Sequence, residues 1–339
     1  MPMTFTCKYG SIATWMSTSR PQAGIKQSDV FVCVPSYNHA AYLEQCLRSI
    51  IAQTARPRKL LVIDDGSRDD SVQVAERVLN DCQFDSELIA RENRGLCRTL
   101  NQAFEMSQGK YFAYLGSDDL WLPEFLEARG ELLDRRENAV LAYGHAYLID
   151  DAGNAFDATT NYTDTWAYYP DGDAREMIVN GGAPISSTVV YRRSAIEDVE
   201  WNHEARLEDY EMYLKLMTRG EFAFDPAIMS AWRRHEANTS ADRLMMLDEL
   251  LAAHERNHQS LGTNREELAR VQQRIKFLYA QMELQHGNKS GAFKLAAESW
   301  RGASKAKLVK FYLRMLVPMS LVERRRRTRR QMNLKEFSL

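Results

Sequence analysis

The chain has 339 residues, of which 45% are hydrophobic, and carries a formal net charge of −2. This balance allows a sizeable buried core and excludes a protein that binds nucleic acid through bulk positive charge. Five scattered cysteines, Cys7, Cys33, Cys46, Cys82 and Cys97, form no CxxC pair. They argue for reduced thiols in a cytosolic protein and against a zinc site or a disulfide framework. No apolar run reaches the roughly 18 residues that cross a bilayer, and the N-terminus lacks a long apolar segment of the secretory kind. Residues 1–28 are expected to be a loosely attached extension.

From Val30 the pattern is regular. Val30–Val34 reads as a strand stopped by Pro35, and Tyr42–Gln53 has helical apolar spacing through Leu43, Leu47, Ile50 and Ile51. Leu60–Ile63 is a second strand, and Asp64-Asp65-Gly66-Ser67 turns into a helix over Ser71–Leu79. Leu88–Ala90 is a third strand, and Asn93-Arg94-Gly95 turns into a helix carrying Leu96, Leu100, Ala103 and Phe104. Tyr111–Leu115 follows Gly109 as a buried strand, ended by Gly116-Ser117-Asp118-Asp119, and a helix is expected to begin near Pro123. Strand, turn and helix in repeated order predict right-handed crossovers and a mostly parallel, Rossmann-like α/β sheet.

In such a sheet the C-terminal ends of the strands face one crevice, where open α/β sheets bind ligands. Polar clusters stand at successive strand ends: Ser36-Tyr37-Asn38, Asp64-Asp65-Gly66-Ser67, Glu92-Asn93-Arg94-Gly95 and Ser117-Asp118-Asp119. One polar turn is ordinary, whereas several converging on one edge suggest a site. Neither GxGxxG nor GxxxxGK[ST] occurs there. Paired carboxylates repel unless a cation or a donor holds them, and Mg²⁺ and Mn²⁺ take such oxygen ligands. A solvated Asp-Asp turn is the alternative.

The second half is less regular. Ala139–Ile149 reads as one long or two short strands, and the stretch after it is rich in Thr, Tyr and Asp, with Trp166, Tyr168 and Tyr169. A strand is expected at Ser187–Tyr191, and a helix starting at Glu208-Asp209, where acids also suit the helix dipole. Phe222–Phe224 and Ile228–Trp232 read as short strands split by Asp225-Pro226, before Arg233, Arg234 and His235 open a polar loop. From Ala241 the pattern is helical: Leu244–His254, Arg265–Leu284, Ala292–Trp300 and about Lys305 to Val317. The last helix has an apolar stripe of Leu308, Val309, Phe311, Tyr312, Met315 and Leu316, and six arginines follow between Arg324 and Arg330. That combination suits a helix lying on an anionic membrane surface, and packing of the stripe on the catalytic domain is the alternative.

VPSYN at 34–38, IDDGSRDDS at 63–71, ENRGLCRTLNQA at 92–103 and YLGSDDLWLP at 114–123, with LEDYEMYLKL at 207–216 and WRRH at 232–235, resemble family 2 glycosyltransferases. The resemblance covers about residues 29–240. It implies a GT-A fold with a helical C-terminal appendage over 241–339, and an inverting, metal-assisted enzyme. That enzyme would use a nucleotide diphosphate sugar, by expectation a UDP-sugar, and a carbohydrate or lipid-linked saccharide acceptor.

The resemblance also implies roles. Pro35, Tyr37, Asn38, Asp65, Asn93, Arg94, Ser117, Asp118 and Arg233 would bind the nucleotide sugar. Within that set Tyr37 would stack on the base and Asp65 would accept from a uracil N–H. A packing role for Tyr37 and a helix-capping role for Asp65 stay open. Asp118, with Asp119 and His235, would hold Mn²⁺ or Mg²⁺, although Gly116 stands where many members carry the first acid of Asp-x-Asp. Asp209 would be the catalytic base, with Glu208 orienting a hydroxyl or capping the helix. The expected setting is cell-surface polysaccharide or glycoconjugate synthesis, on the cytoplasmic side, with a tail suited to peripheral attachment at the inner face of the membrane. A non-catalytic nucleotide-sugar binding protein of the same fold is the rival.

Overall fold

The computed structural model describes residues 26–163, 167–236, 238 and 242–318. The loosely attached extension expected over residues 1–28, Trp166 and the arginine-rich tail therefore lie wholly or largely outside the described residues. The chain divides into two units, one of residues 1–178 and 182–241, the other of 179–181 and 242–339.

After a short strand at Lys26–Gln27, which pairs parallel to Ala55–Arg56 and so ties down the end of the expected extension, the first unit continues with β1 (Val30–Ser36), α1 (Ala40–Ile51), β2 (Lys59–Asp64), α2 (Ser71–Leu79), β3 (Ser86–Ala90), α3 (Leu96–Met106) and β4 (Tyr111–Tyr114). Next come β5 (Leu120–Trp121), α4 (Phe125–Arg135), β6 (Ala139–Ile149), β7 (Ala155–Ala158), a short α5 (Arg175–Val179) and β8 (Val190–Arg192). It closes with α6 (Glu208–Leu216) and β9 (Glu221–Arg233). The sheet runs β3-β2-β1-β4-β8-β6-β9-β5, with β7 on β6. β3, β2, β1 and β4 are mutually parallel, as the repeated strand–turn–helix order predicts. β8 runs antiparallel to both its neighbours, and β9 pairs parallel to β6.

β1 is buried on both faces, which explains its unbroken apolar run. Alternation sends Val30, Val32 and Val34 to the same core as Leu43, Leu47 and Ile50 of α1. Phe31 points to the opposite face, where it stacks on Phe112, which in turn contacts Phe104 and Trp201.

Three elements differ from expectation. β9 is continuous: its ladder to β6 passes from Asp225↔Gly144 to Ile228↔His145, so Pro226 and Ala227 bulge out of register. Proline has no N–H for a ladder, and the bulge absorbs it, with Asp225 Oδ1 accepting from the Ala227 amide at 2.9 Å. Ser186–Thr188 is a 3₁₀ turn, and the strand is confined to β8. α4 begins two residues after Pro123, at Phe125.

The second unit is helical: α7 (Arg243–Asn257), α8 (Arg265–Gln285), α9 (Lys289–Glu298) and α10 (Lys305–Met315). Asn264 and Glu267 form a reciprocal capping box at the start of α8. Phe277, Ala280, Leu284, Ala292, Ala296 and Phe311 make its core, with Leu308 and Met315 packed against it. The apolar stripe expected on α10 therefore divides. Leu308, Phe311 and Met315 face inward, whereas Val309, Tyr312, Leu313 and Leu316 are exposed. Among the described residues no helix is long and apolar enough to cross a membrane.

Candidate active site

The turns after the parallel strands are tied to one another. Asn38 adopts a left-handed conformation (φ 52°), uncommon for a residue with a side chain. Its amide donates to Ser67 Oγ (2.8 Å), and its Oδ1 accepts from the Arg68 amide (2.8 Å). The next amides, of His39 and Ala40, donate to Ser71 Oγ and Asp69 Oδ2. The start of α1 is thus capped from the neighbouring turn and not by its own side chain. Pro35 is paired within β1 opposite Ile63, and Tyr37 projects with 45% of its surface exposed.

Asp65 is buried, and it does not cap α2, whose N-cap is Asp70. Its oxygens accept from the amides of Arg94 (2.9 Å) and Gly95 (2.7 Å), and it pairs with Arg91 Nη1 at 2.5 Å. The side chain therefore pins the Asn93-Arg94-Gly95 turn against the β2 turn. Asn93 and Arg94 themselves are exposed. Gly66 (φ 82°) sits beneath that turn, and a Cβ there would lie 2.8 Å from the Asn93 nitrogen.

At the end of β4, Ser117 Oγ is 2.8 Å from His39 Nδ1. Asp118 Oδ2 is 3.0 Å from His235 Nε2 and accepts from Asn238 Nδ2 at 3.3 Å. One ring nitrogen each of His39 and His235 and one Asp118 oxygen all lie within 4.8 Å of one another. Two imidazoles and a carboxylate are donors suited to a divalent ion. The Tyr42 ring stacks on His235 (5.1 Å, 21°) and stands edge-on to His39 (5.9 Å). Burial lowers the His39 pKa, and the Asp118 charge opposes this.

Asp119 does not join this group. It is buried, its Oδ1 accepts from the Arg233 amide (2.9 Å), and burial with the Asp118 charge pushes its carboxyl well up. Arg233 is also enclosed. Its guanidinium donates to the carbonyls of Asp118, Asp150 and Asp151 and to Gln45 Oε1, all within 2.8 Å, beneath the Tyr42 ring. With those donors taken, it braces the site, contrary to the expectation of a diphosphate contact. The adjacent Arg234 is exposed and lies over Trp232. His39 was not picked out by the sequence; the signal that could have found it is its place one residue past a strand-end turn that faces the crevice.

The acid pair lies at the start of α6, half-buried. Glu208 Oε1 accepts from Tyr114 Oη at 3.3 Å, and Asp209 Oδ1 accepts from the Tyr210 amide at 2.7 Å. Tyr114 stacks on Tyr191, and Tyr191 on Tyr213. Burial, then the Asp209 charge, pushes Glu208 up to about 8, and burial pushes Asp209 up to about 6. A helix N-terminus favours ionised acids, so desolvation outweighs the dipole here. The pair lies on the flank of β4, which carries Asp118 beyond its end and touches Glu208 through Tyr114.

The profile described as "Glycosyl transferase family 2" matches residues 31–200. The chain belongs to that family. Relatives of this family 2 member include an uncharacterised glycosyltransferase of Rickettsia conorii, 26% identical over 220 residues that span 62% of this chain and 35% of that protein. Another is the putative teichuronic acid biosynthesis glycosyltransferase TuaG of Bacillus subtilis, 26% identical over 195 residues, 58% of this chain and 74% of TuaG. S. aureus TarS 1-349 in complex with UDP-GlcNAc superposes with a TM-score of 0.57 at 14% identity, covering 81% of this chain and 82% of that one. The mannosyltransferase PcManGT from Pyrobaculum calidifontis, in complex with GDP-Man and Mn²⁺, gives 0.56 at 16% identity, covering 96% and 91%. The fold is of the GT-A type.

Proposed function

We propose that the protein is an inverting glycosyltransferase that moves a sugar from a nucleotide diphosphate sugar, with UDP as the expected carrier, to an acceptor hydroxyl. The observation that carries this reading is the placement, in a chain of this family, of the Glu208–Asp209 pair beside β4, whose end presents Asp118 to His39 and His235. Asp209, the more acidic of the two, removes the acceptor hydroxyl proton. The hydroxyl oxygen then bonds to the anomeric carbon as the bond from that carbon to the diphosphate breaks on the opposite face. Glu208, whose carboxyl burial pushes towards the protonated form and which accepts from Tyr114, orients the acceptor. Asp118 and His235 would hold a divalent cation, which when bound offsets charge on the departing diphosphate. Exposed Tyr37 would stack on the base, and exposed Asn93 and Arg94 would contact the diphosphate. A binding protein without catalysis has no use for a raised acid pair in its crevice, which favours the enzyme.

The likeness to TuaG supports cell-surface polysaccharide synthesis as the setting and a saccharide or lipid-linked saccharide as the acceptor. The exposed face of α10 supports attachment to an anionic lipid surface at the cytoplasmic side. Val309, Leu313 and Leu316 are 59%, 60% and 79% exposed at helical spacing, beside exposed Lys305, Lys307, Lys310 and Arg314. Apolar and cationic faces side by side are what such a surface recognises.

The donor screen is the test. The full chain is incubated with UDP-, GDP- and TDP-sugars and Mn²⁺, and slow release of nucleoside diphosphate is followed. Release from one donor class, abolished in Asp118→Asn, is expected. No release from any donor, together with no nucleotide-sugar binding by calorimetry, would overturn the reading.

A further inference from the structure

The geometry points to His39 as the third protein ligand of the divalent cation, and to a His39–Asp118–His235 donor set that selects a transition-metal ion over Mg²⁺ and Ca²⁺. The inference rests on the glycosyltransferase reading for the presence of a cation and adds to it the ligand and the metal class.

The carboxylates near this position are fewer than the sequence suggests. Asp119 is turned to the Arg233 amide and buried. Position 116 is glycine and supplies none. Asp118 is thus the one acid of the Gly116–Asp119 turn in the cluster, and the remaining donors are imidazoles. Donors bound at 2.0–2.2 Å to one ion are at most about 4.4 Å apart, and the three ligand atoms lie within 4.8 Å of one another. A small closure of side chains brings them onto a common ion.

His39 is also oriented for this task. Its Nδ1 lies 2.8 Å from Ser117 Oγ, and in the tautomer where Nδ1–H donates this bond, Nε2 carries the free lone pair. A hydrogen bond that fixes one ring nitrogen and frees the other is the usual support of a metal-binding histidine. The main chain is fixed as well, since the His39 amide donates to Ser71 Oγ at 3.1 Å. Its ring meets His235 at right angles, with centroids 5.9 Å apart and Tyr42 packed against both. Magnesium and calcium prefer oxygen donors, whereas imidazole suits later first-row ions such as Zn²⁺ and Co²⁺, and Mn²⁺, the weakest of that series, stands between the two groups.

The test is metal binding by the full chain without sugar substrate. Free Mn²⁺ is measured by electron paramagnetic resonance, Mg²⁺ and Ca²⁺ are added as competitors, and Co²⁺ is followed by its visible absorption. Wild type should bind Mn²⁺ and Co²⁺ well ahead of Mg²⁺. His39→Ala and His39→Gln should weaken Mn²⁺ by about 10–100-fold, the scale on which shell residues act. Mg²⁺ affinity should change little in both variants, so that selectivity collapses, and the Co²⁺ spectrum should shift. Ser117→Ala should give a smaller loss in the same direction. Circular dichroism identifies the folded variants, and His39→Gln keeps a polar side chain at the start of α1. Wild-type Mn²⁺ affinity and selectivity in a folded His39 variant, with Asp118→Asn defective, would overturn the role of His39 and leave the metal reading intact. Undiminished binding in Asp118→Asn as well would instead remove the metal site on which both rest.

Discussion

Replacing Asp209 by Asn tests the division of labour in the acid pair. Burial raises both carboxyls, Asp209 to about 6 and Glu208 to about 8, so a pH near 7 falls between the two steps in which the pair releases its protons. The pH dependence of kcat/KM for transfer should be bell-shaped around that point. Activity falls as pH drops through about 6, where Asp209 takes up its proton, and falls again above about 8, where Glu208 loses its own. Because the two groups interact, these limbs belong to the pair. Asp209→Asn should cost roughly 10²–10⁴-fold in transfer, the usual range for a general base, with nucleotide-sugar binding nearly unchanged. Glu208→Gln, which mimics the protonated acid, should cost less and should flatten the alkaline limb. It should also raise thermal stability at alkaline pH. A carboxyl whose folded pKa is raised loses stability as pH rises from its unfolded value through its folded one, and glutamine removes that loss. The assay is transfer to a saccharide acceptor from pH 5 to 9, with calorimetric donor binding in parallel. Full transfer in folded Asp209→Asn, or an alkaline limb that persists unchanged in Glu208→Gln, would refute the assignment.

Asp118→Asn removes the only carboxylate of the triad, so donor turnover should fall by orders of magnitude and EDTA should have no further effect; turnover that is normal and EDTA-insensitive rules out the metal role. Asp65→Ala removes the partner of Arg91 and the acceptor of two backbone amides. Breaking such a buried pair costs about 3–5 kcal/mol, so the unfolding midpoint in urea should drop clearly, and an unchanged midpoint would show that Asp65 serves the ligand alone. Full-length protein should float with anionic and not with neutral vesicles, and Leu313→Glu with Leu316→Glu should abolish flotation. Each basic residue near such a surface adds about 1 kcal/mol; equal flotation of the double variant would leave the α10 face without that role.

The parallel half of the fold was legible because β1, β2 and β4 are buried on both faces and its helices on one, so strand runs and 3.6-residue periodicity stand out. β9 was misread at Pro226 because whether a proline ends a strand or bulges from it depends on the partner ladder, here β6. The site was legible by position and less so by side chain. Asp118 and Asp119 are equivalent in sequence, yet one faces the histidines while the other accepts an amide from β9, a strand far along the chain. His39 gains its meaning from Ser117 and His235, and neither is local to it. Arg233 and Arg234 make the same point about charge. Side chains alternate across the end of a strand, so adjacent arginines cannot both face solvent. Arg233 turns inward, where four donors meet carbonyl and amide oxygens, and Arg234 turns out over Trp232. A phosphate needs donors that are free. Four of the five N–H donors of Arg233 are spent on the fold itself, which its place in the sequence does not reveal.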